Sequence, residues 1–261
     1  MKVVMIGTGN VAHVLGHRIK EAGHTVLQVA GRDETKTPAL AKLLDAASCV
    51  SFSSISSEAD IYIIALSDTA LENVIKELHF KGIVVHTAGA VSKNVLQNVS
   101  GTFGVLYPLQ SLRSDRLDVG TIPLLIDGNT RETIEQLHGF AKTISTVIEH
   151  ADDNKRIKAH IAAVITNNFS NFLYTLTHDF CEKENINFSL LTPLLHETVA
   201  RLAQHTPAAM QTGPAVRQDK VTIAKHLLLL NQYPLLQQVY ETLSNDIMRY
   251  YSNYIKENNI D

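Results

Sequence analysis

Short continuous apolar runs alternate with stretches whose apolar residues recur every three or four positions, and this alternation stops near His150. The first run, Val3 to Ile6, reads as a buried strand; it breaks at Gly7-Thr8-Gly9 and gives way to Val11, Val14, Leu15 and Ile19 at helical spacing. Thr25 to Ala30, Ile61 to Leu66, Ile83 to Val85, Phe103 to Tyr107, Ile122 to Ile126 and Thr146 to Ile148 read as further strands, with a weaker one near Cys49 to Phe52. Helical patterns fall between them: Pro38 to Ala47, then Leu71, Val74, Ile75 and Leu78, then Ile134, Leu137, Phe140 and Ile144. Thr69 with Glu72, and Asn129 with Glu132, stand at capping-box spacing before the last two. Strands apolar throughout and alternating with helices predict a doubly wound parallel sheet, covered on both faces.

From about Asn154 onward only helical patterns remain. One runs to Cys181 with Ile157, Ile161, Val164, Ile165, Phe172 and Leu176 on its apolar side. A second opens at Thr192-Pro193, with threonine as N-cap and proline in the first turn, and runs to about Gln204. A third covers Val221 to Leu230, and a fourth starts at Pro234 and carries Leu235, Leu236, Val239, Tyr240, Leu243, Ile247, Tyr250 and Tyr254. The sequence therefore predicts an α/β domain over residues 1–151 and an all-helical domain over 152–261, with no repeat and no low-complexity tract.

The glycine break carries the first chemical signal. Gly7-Thr8-Gly9-Asn10-Val11-Ala12 is a G-x-G-x-x-A pattern between a strand and a helix, the context in which it cradles a dinucleotide pyrophosphate. Gly7 permits the turn, Gly9 lets backbone approach the phosphates, and Ala12 lets helix and strand pack closely. Strand two ends in Gly31 and Arg32 rather than in an acid that would hold a ribose hydroxyl. A small residue followed by guanidinium suits a 2′-phosphate, which favours NADP over NAD. Asp33 could instead pair with Arg32, or point away. Leu66-Ser67 and His86-Thr87-Ala88-Gly89 follow later strands and should reach the same sheet edge; His86 and Thr87 could touch the nicotinamide, or His86 could be structural.

Three groupings in the helical region carry other candidates. His160, with Asn167, Asn168 and Asn171 seven, eight and eleven residues on, shares a helix face that could line a cleft. The loop Gln211 to Asp219 holds Arg217, a candidate clamp for a substrate carboxylate or else part of a linker. His226 could handle a proton or be structural. No metal-ligand cluster and no Ser-His-Asp order is evident.

A net charge of −3 gives no reason to expect nucleic acid or an anionic membrane as partner. Apolar runs are too short to span a bilayer. Two cysteines without metal spacing, and a first strand that begins at once, predict a cytoplasmic protein without a secretory signal.

Five segments together resemble one family over nearly the whole length: Gly7 to Ala12, His86 to Gly89, Pro108-Leu109-Gln110, Asn167-Asn168-Phe169, and Thr212-Gly213-Pro214-Ala215-x-Arg217-x-Asp219 followed by His226. It is the Rossmann-like family described as NADP oxidoreductases with a C-terminal helical domain of unknown function. More remotely the chain is similar to pyrroline-5-carboxylate reductase, deazaflavin-dependent NADP oxidoreductase and the 6-phosphogluconate dehydrogenase superfamily. The resemblance implies a Rossmann domain followed by a helical domain like the C-terminal one of 6-phosphogluconate dehydrogenase, which closes the active site and supplies a homodimer interface. Where the family pattern has histidine before Pro108, this chain has Tyr107, so a proton donor there would be a phenol. The superfamily's catalytic lysine is not matched in spacing by Lys158.

These readings combine into an expectation. NADP(H) lies along the sheet edge on Gly7, Thr8, Gly9, Asn10, Val11, Gly31, Arg32, Leu66, Ser67, His86, Thr87 and Gly89, and a small carbonyl or imine sits in the interdomain cleft. His160 or His226 handles the proton, Asn168 orients and Arg217 clamps an anion. The rival is a non-catalytic NADP-binding sensor or scaffold, and a structural dimer with a vestigial nucleotide fold is a third reading.

Overall fold

The structure is a computed structural model that describes residues 1–258, the side chains of Glu77 and of 255–258 excepted. The predicted strands form with slightly shifted ends: β1 (Lys2–Ile6), β2 (Thr25–Ala30), β3 (Ala47–Cys49), β4 (Ile61–Ile64), β5 (Ile83–His86), β6 (Phe103–Pro108), β7 (Leu124–Gly128) and β8 (Ile148–His150). They make one sheet in the order β3-β2-β1-β4-β5-β6-β7-β8. The chain steps outward from β1 in both directions, so the switch point lies at the carboxyl ends of β1 and β4, where open α/β sheets place ligands.

Strand alternation explains why both faces are apolar. Val3 and Met5 pack on one side with α1 (Asn10–Glu21), α2 (Lys36–Leu43) and α4 (Arg131–Ile144), through Leu15, Ile19, Leu40 and Phe140. Val4 and Ile6 pack on the other with Leu71 and Val74 of α3 (Asp68–Val74) and with Leu96.

The sheet departs from the predicted all-parallel pattern at one pair, since β7 runs antiparallel to β6. The segment between them, residues 109–123, holds no helix, and an antiparallel neighbour needs no helical crossover. Neither capping box forms as predicted. Ser67 is the N-cap residue of α3, and Thr130 rather than Asn129 caps α4 by accepting from the Thr133 amide. Asn129 instead accepts from the amide of Phe103, tying α4 to β6.

The long predicted helix is interrupted. It consists of α5 (Asp153–Ala163), a π-helical turn Val164–Phe169 and α6 (Ser170–Lys183). The chain forms two compact units, Met1–Asn168 and Phe169–Asp261, which divide inside that turn rather than at the predicted 151. The strand signal ends at 151, but α5 belongs with the sheet. Arg156 is 1% exposed and donates to the Val91 carbonyl and to Asp153 at 2.8 Å. In the second unit, α7 (Thr192–Arg201), α8 (Lys220–Leu229) and α9 (Pro234–Asn258) follow α6. Thr192 opens α7 as its first helical residue, with Leu191 in the N-cap position. Among the described residues no helix is long and apolar enough to cross a membrane.

Candidate functional site

Gly7 and Gly9 have different jobs. Gly7 has φ +122, and a Cβ there would collide with the Ala65 carbonyl at the end of β4. It is a glycine because two strand ends meet tightly. A Cβ on Gly9, in contrast, would meet nothing within 4 Å. Gly9 is the extended N-cap residue of α1, which has no side-chain cap and no acid in its first turn. The helix thus offers uncompensated N–H groups and its positive dipole end through an open glycine, a fit for pyrophosphate. Thr8 and Val11 flank it half-buried, and the Asn10 side chain turns aside to accept from the Ser114 amide at 2.9 Å.

At the end of β2, Gly31 is buried, and a Cβ on it would fall 2.8 Å from Thr37 Oγ1 and 3.0 Å from Thr8 Cγ2. Arg32 beside it is exposed. Asp33 does not engage Arg32. Its carboxylate accepts from the amides of Lys36 (2.8 Å) and Thr35 (3.0 Å), which hold its pKa below the ordinary value. Leu66 is half-buried and Ser67 exposed at the end of β4.

His86 and Thr87 require a correction, because neither presents itself at the edge. His86 is 0% exposed, and its Nδ1 accepts from the Ala88 amide at 3.2 Å. Burial, and secondarily the Arg156 charge, push its pKa down to about 4. It is a neutral structural group of β5, and Thr87 after it is buried as well. Gly89 also has another role: a Cβ on it would lie 2.9 Å from Cγ and Nδ1 of His160.

That imidazole faces a cavity of about 510 Å³ whose lining belongs wholly to the first unit. Tyr107 at the carboxyl end of β6, Gln110 and Ser111 beyond it, and His160, Thr166, Asn167 and Asn168 are its polar residues. The Tyr107 hydroxyl and His160 Nδ1 are 2.9 Å apart. The π turn brings Asn167 and Asn168 to the wall; such turns inside helices recur at functional sites. The 109–123 segment supplies Leu109, Gln110 and Ser111 to the cavity, and through Ser114 it reaches Asn10 at the cradle. Sequence reasoning missed this link, although Pro108-Leu109-Gln110 marked its start.

The other candidates lie in the second unit. Arg217 is exposed on the loop before α8. Asp219 is the N-cap of α8 and accepts from the Thr222 amide at 3.0 Å and its hydroxyl at 2.7 Å. His226 is exposed and shares a 2.6 Å hydrogen bond between Nδ1 and the Tyr240 hydroxyl.

Comparison with known proteins adds a second line of observation. Residues 2–89 match a family described as "NADP oxidoreductase coenzyme F420-dependent", and residues 122–247 match a domain of unknown function, DUF2520. Among solved structures, the "putative NADP oxidoreductase BF3122" from Bacteroides fragilis is 33% identical with a TM-score of 0.88, covering 95% of this chain and 98% of that one. A 1-pyrroline-5-carboxylate reductase from Streptococcus pyogenes is 15% identical with a TM-score of 0.64, covering 95% and 98%. An imine reductase from Myxococcus stipitatus, in complex with NADP+, is 16% identical with a TM-score of 0.64, covering 98% and 95%. At those identities the last two show the shared fold. No curated protein matches the chain.

Proposed function

The chain belongs to the NADP oxidoreductase family of the Bacteroides fragilis protein, and on that premise we propose that it transfers a hydride between NADP(H) and a small carbonyl or imine compound. One observation carries the reading. A single compact unit holds both an uncapped helix end behind an open Gly9 and a cavity lined by His160 and Asn168, and one segment touches both. Gly7, Thr8, Gly9 and Val11 would hold the pyrophosphate, with Leu66 and Ser67 alongside and the Arg32 guanidinium on a 2′-phosphate. NADPH, when bound, supplies the hydride.

The chain's own residues do the rest. His160 places a hydrogen-bonding nitrogen on the cavity wall and exchanges a proton with the substrate oxygen or nitrogen. Asn168 orients that group, and Arg217 is our candidate for a substrate carboxylate. Between the two histidines we choose His160, because it lines the cavity in the same unit as the glycine turn, whereas His226 lies in the second unit. A carbon–nitrogen double bond as target is supported by the names of the two remoter neighbours. The exposed apolar side chains of the second unit, Leu190, Leu194, Val199, Leu228 and Leu229 among them, support a homodimer formed through it. The unpaired, buried Cys49 and Cys181 suit a reducing cytoplasm.

The test has two stages. Calorimetry should find NADPH binding, with NADH weaker; no binding of either at millimolar concentration overturns the proposal. Single-turnover NADPH oxidation against a panel of oxo and imino acids should then slow in His160→Ala and Arg217→Ala. Unchanged rates in both variants would remove those two assignments, and NADPH binding with no oxidation by any compound of the panel would point to the sensor reading instead.

A further inference from the structure

Three segments distant in the chain converge on the His160 imidazole. Gly89 follows β5, Tyr107 is near the carboxyl end of β6, and His160 sits on α5. The ring packs against Gly89, where a side chain would meet its Cγ and Nδ1 edge at 2.9 Å. The Tyr107 ring meets it edge-on, 5.9 Å between centroids at 80°, and the hydroxyl reaches Nδ1 at 2.9 Å. Two neighbours thus occupy the Nδ1 side of the imidazole. Both rings line the cavity, and among the described residues Nε2 makes no hydrogen bond.

The direction of that hydrogen bond follows from satisfying the phenol. Tyr107 is 9% exposed, and among the described residues its hydroxyl makes no other hydrogen bond. A neutral phenol needs an acceptor for its proton, and Nδ1 is the acceptor present. Burial, with Asp68 adding to it, raises the Tyr107 pKa, while the Arg156 charge opposes; the phenol keeps its proton at neutral pH. If Nδ1 carried the hydrogen instead, the O–H would have to turn into the cavity for an acceptor, since the protein offers it no other.

We propose that Tyr107 is the positioning residue for His160: its O–H donates to Nδ1, Gly89 gives the ring its seat, and the imidazole is held as the Nε2–H tautomer with that proton available to the cavity. The catalytic consequence rests on the oxidoreductase reading above; the tautomer does not. In the reducing direction the substrate carbon gains hydride, and its oxygen or nitrogen gains the Nε2 proton. Nδ1 takes the phenol proton at the same time, so the imidazole stays neutral, and solvent returns a proton to the Tyr107 phenolate.

The experiment reads the tautomer directly, on the full chain at mildly alkaline pH. Long-range proton–nitrogen NMR of the labelled protein, with His160 assigned by the signals lost in His160→Gln, should show Nε2–H and a protonless, hydrogen-bonded Nδ1. In Tyr107→Phe the ring should move toward the Nδ1–H form. With 2-methyl-1-pyrroline as probe imine, hydride transfer should fall about a hundredfold in Tyr107→Phe while NADPH affinity is kept. An Nδ1–H tautomer in the unaltered protein overturns the inference, and so does a tautomer indifferent to Tyr107→Phe. The first needs no variant, so the inference stays testable even if Tyr107→Phe misfolds. Failure of NADPH to bind would remove the functional reading and leave the tautomer result standing.

Discussion

The two compact units bury their apolar residues very differently. In the sheet unit, Val3, Val4, Met5 and Ile6 of β1 and Ile61, Tyr62 and Ile63 of β4 are all fully inaccessible, because helices of the same chain cover both faces. In the helical unit, Leu228 and Leu229 of α8 are 70% and 73% exposed, and Val199 of α7 is 64% exposed. Both units have apolar periodicity, and the central strands bury theirs completely, whereas α7 and α8 leave much of theirs exposed. Periodicity says that a face must be covered; it does not say by what. The difference teaches that the strands answer their own periodicity with helices of the same unit, whereas the exposed apolar side chains of α7 and α8 are the observation on which the proposed homodimer rests.

The sharpest way to break this comparison uses the two cradle glycines. Gly7→Val forces a Cβ into the Ala65 carbonyl at φ +122 and should cost more than about 4 kcal/mol, seen as loss of folded protein. Gly9→Val meets open space, so thermal unfolding should move by no more than about 1 kcal/mol while NADPH affinity drops at least about a hundredfold. Equal damage to folding in both variants would deny Gly9 a ligand role.

Acid should act on the sheet unit through His86. Its folded pKa, about 4, lies below the ordinary 6.5, so the unfolded chain binds a proton that the folded chain refuses. Stability from this group is complete above pH 6.5 and is lost as pH falls toward 4, by up to about 3 kcal/mol. Urea unfolding across that range, compared with His86→Asn, should show a flatter dependence in the variant.

A charge on the helical surface tests the other side. Leu229→Asp should leave the chain folded, since the side chain is exposed, but weaken self-association by about 2 kcal/mol or more, roughly thirtyfold. Sedimentation that finds the same mass for both proteins would reject the homodimer through this face. The smallest effect is at Arg32, where Arg32→Ala should weaken NADPH about tenfold and leave NADH unaltered. An equal loss for both coenzymes would mean that Arg32 does not read the 2′-phosphate.

Much of the cradle was legible because it is local. Gly7, Gly9 and Ala12 lie within one strand–turn–helix, and their spacing alone says what the backbone must do there. The histidines were not legible in that way. His86 and His160 both stand in apolar surroundings along the chain, yet one is wholly buried and the other lines a cavity. Arg156 follows the polar residues Asp152, Asp153, Asn154 and Lys155, next to the predicted domain boundary, and only the fold turns it inward against the Val91 carbonyl.

By itself the amino-acid sequence determined the alternating elements, the switch from sheet to helices and the glycine-bounded helix end, since each depends on residues a few positions apart. Tertiary structure alone decided that β7 runs antiparallel, that the helix after His150 opens into a π turn, and that Gly89, Tyr107 and His160 share one small volume. Such meetings are set by how whole elements pack, and no local preference along the chain encodes which distant side chains will touch.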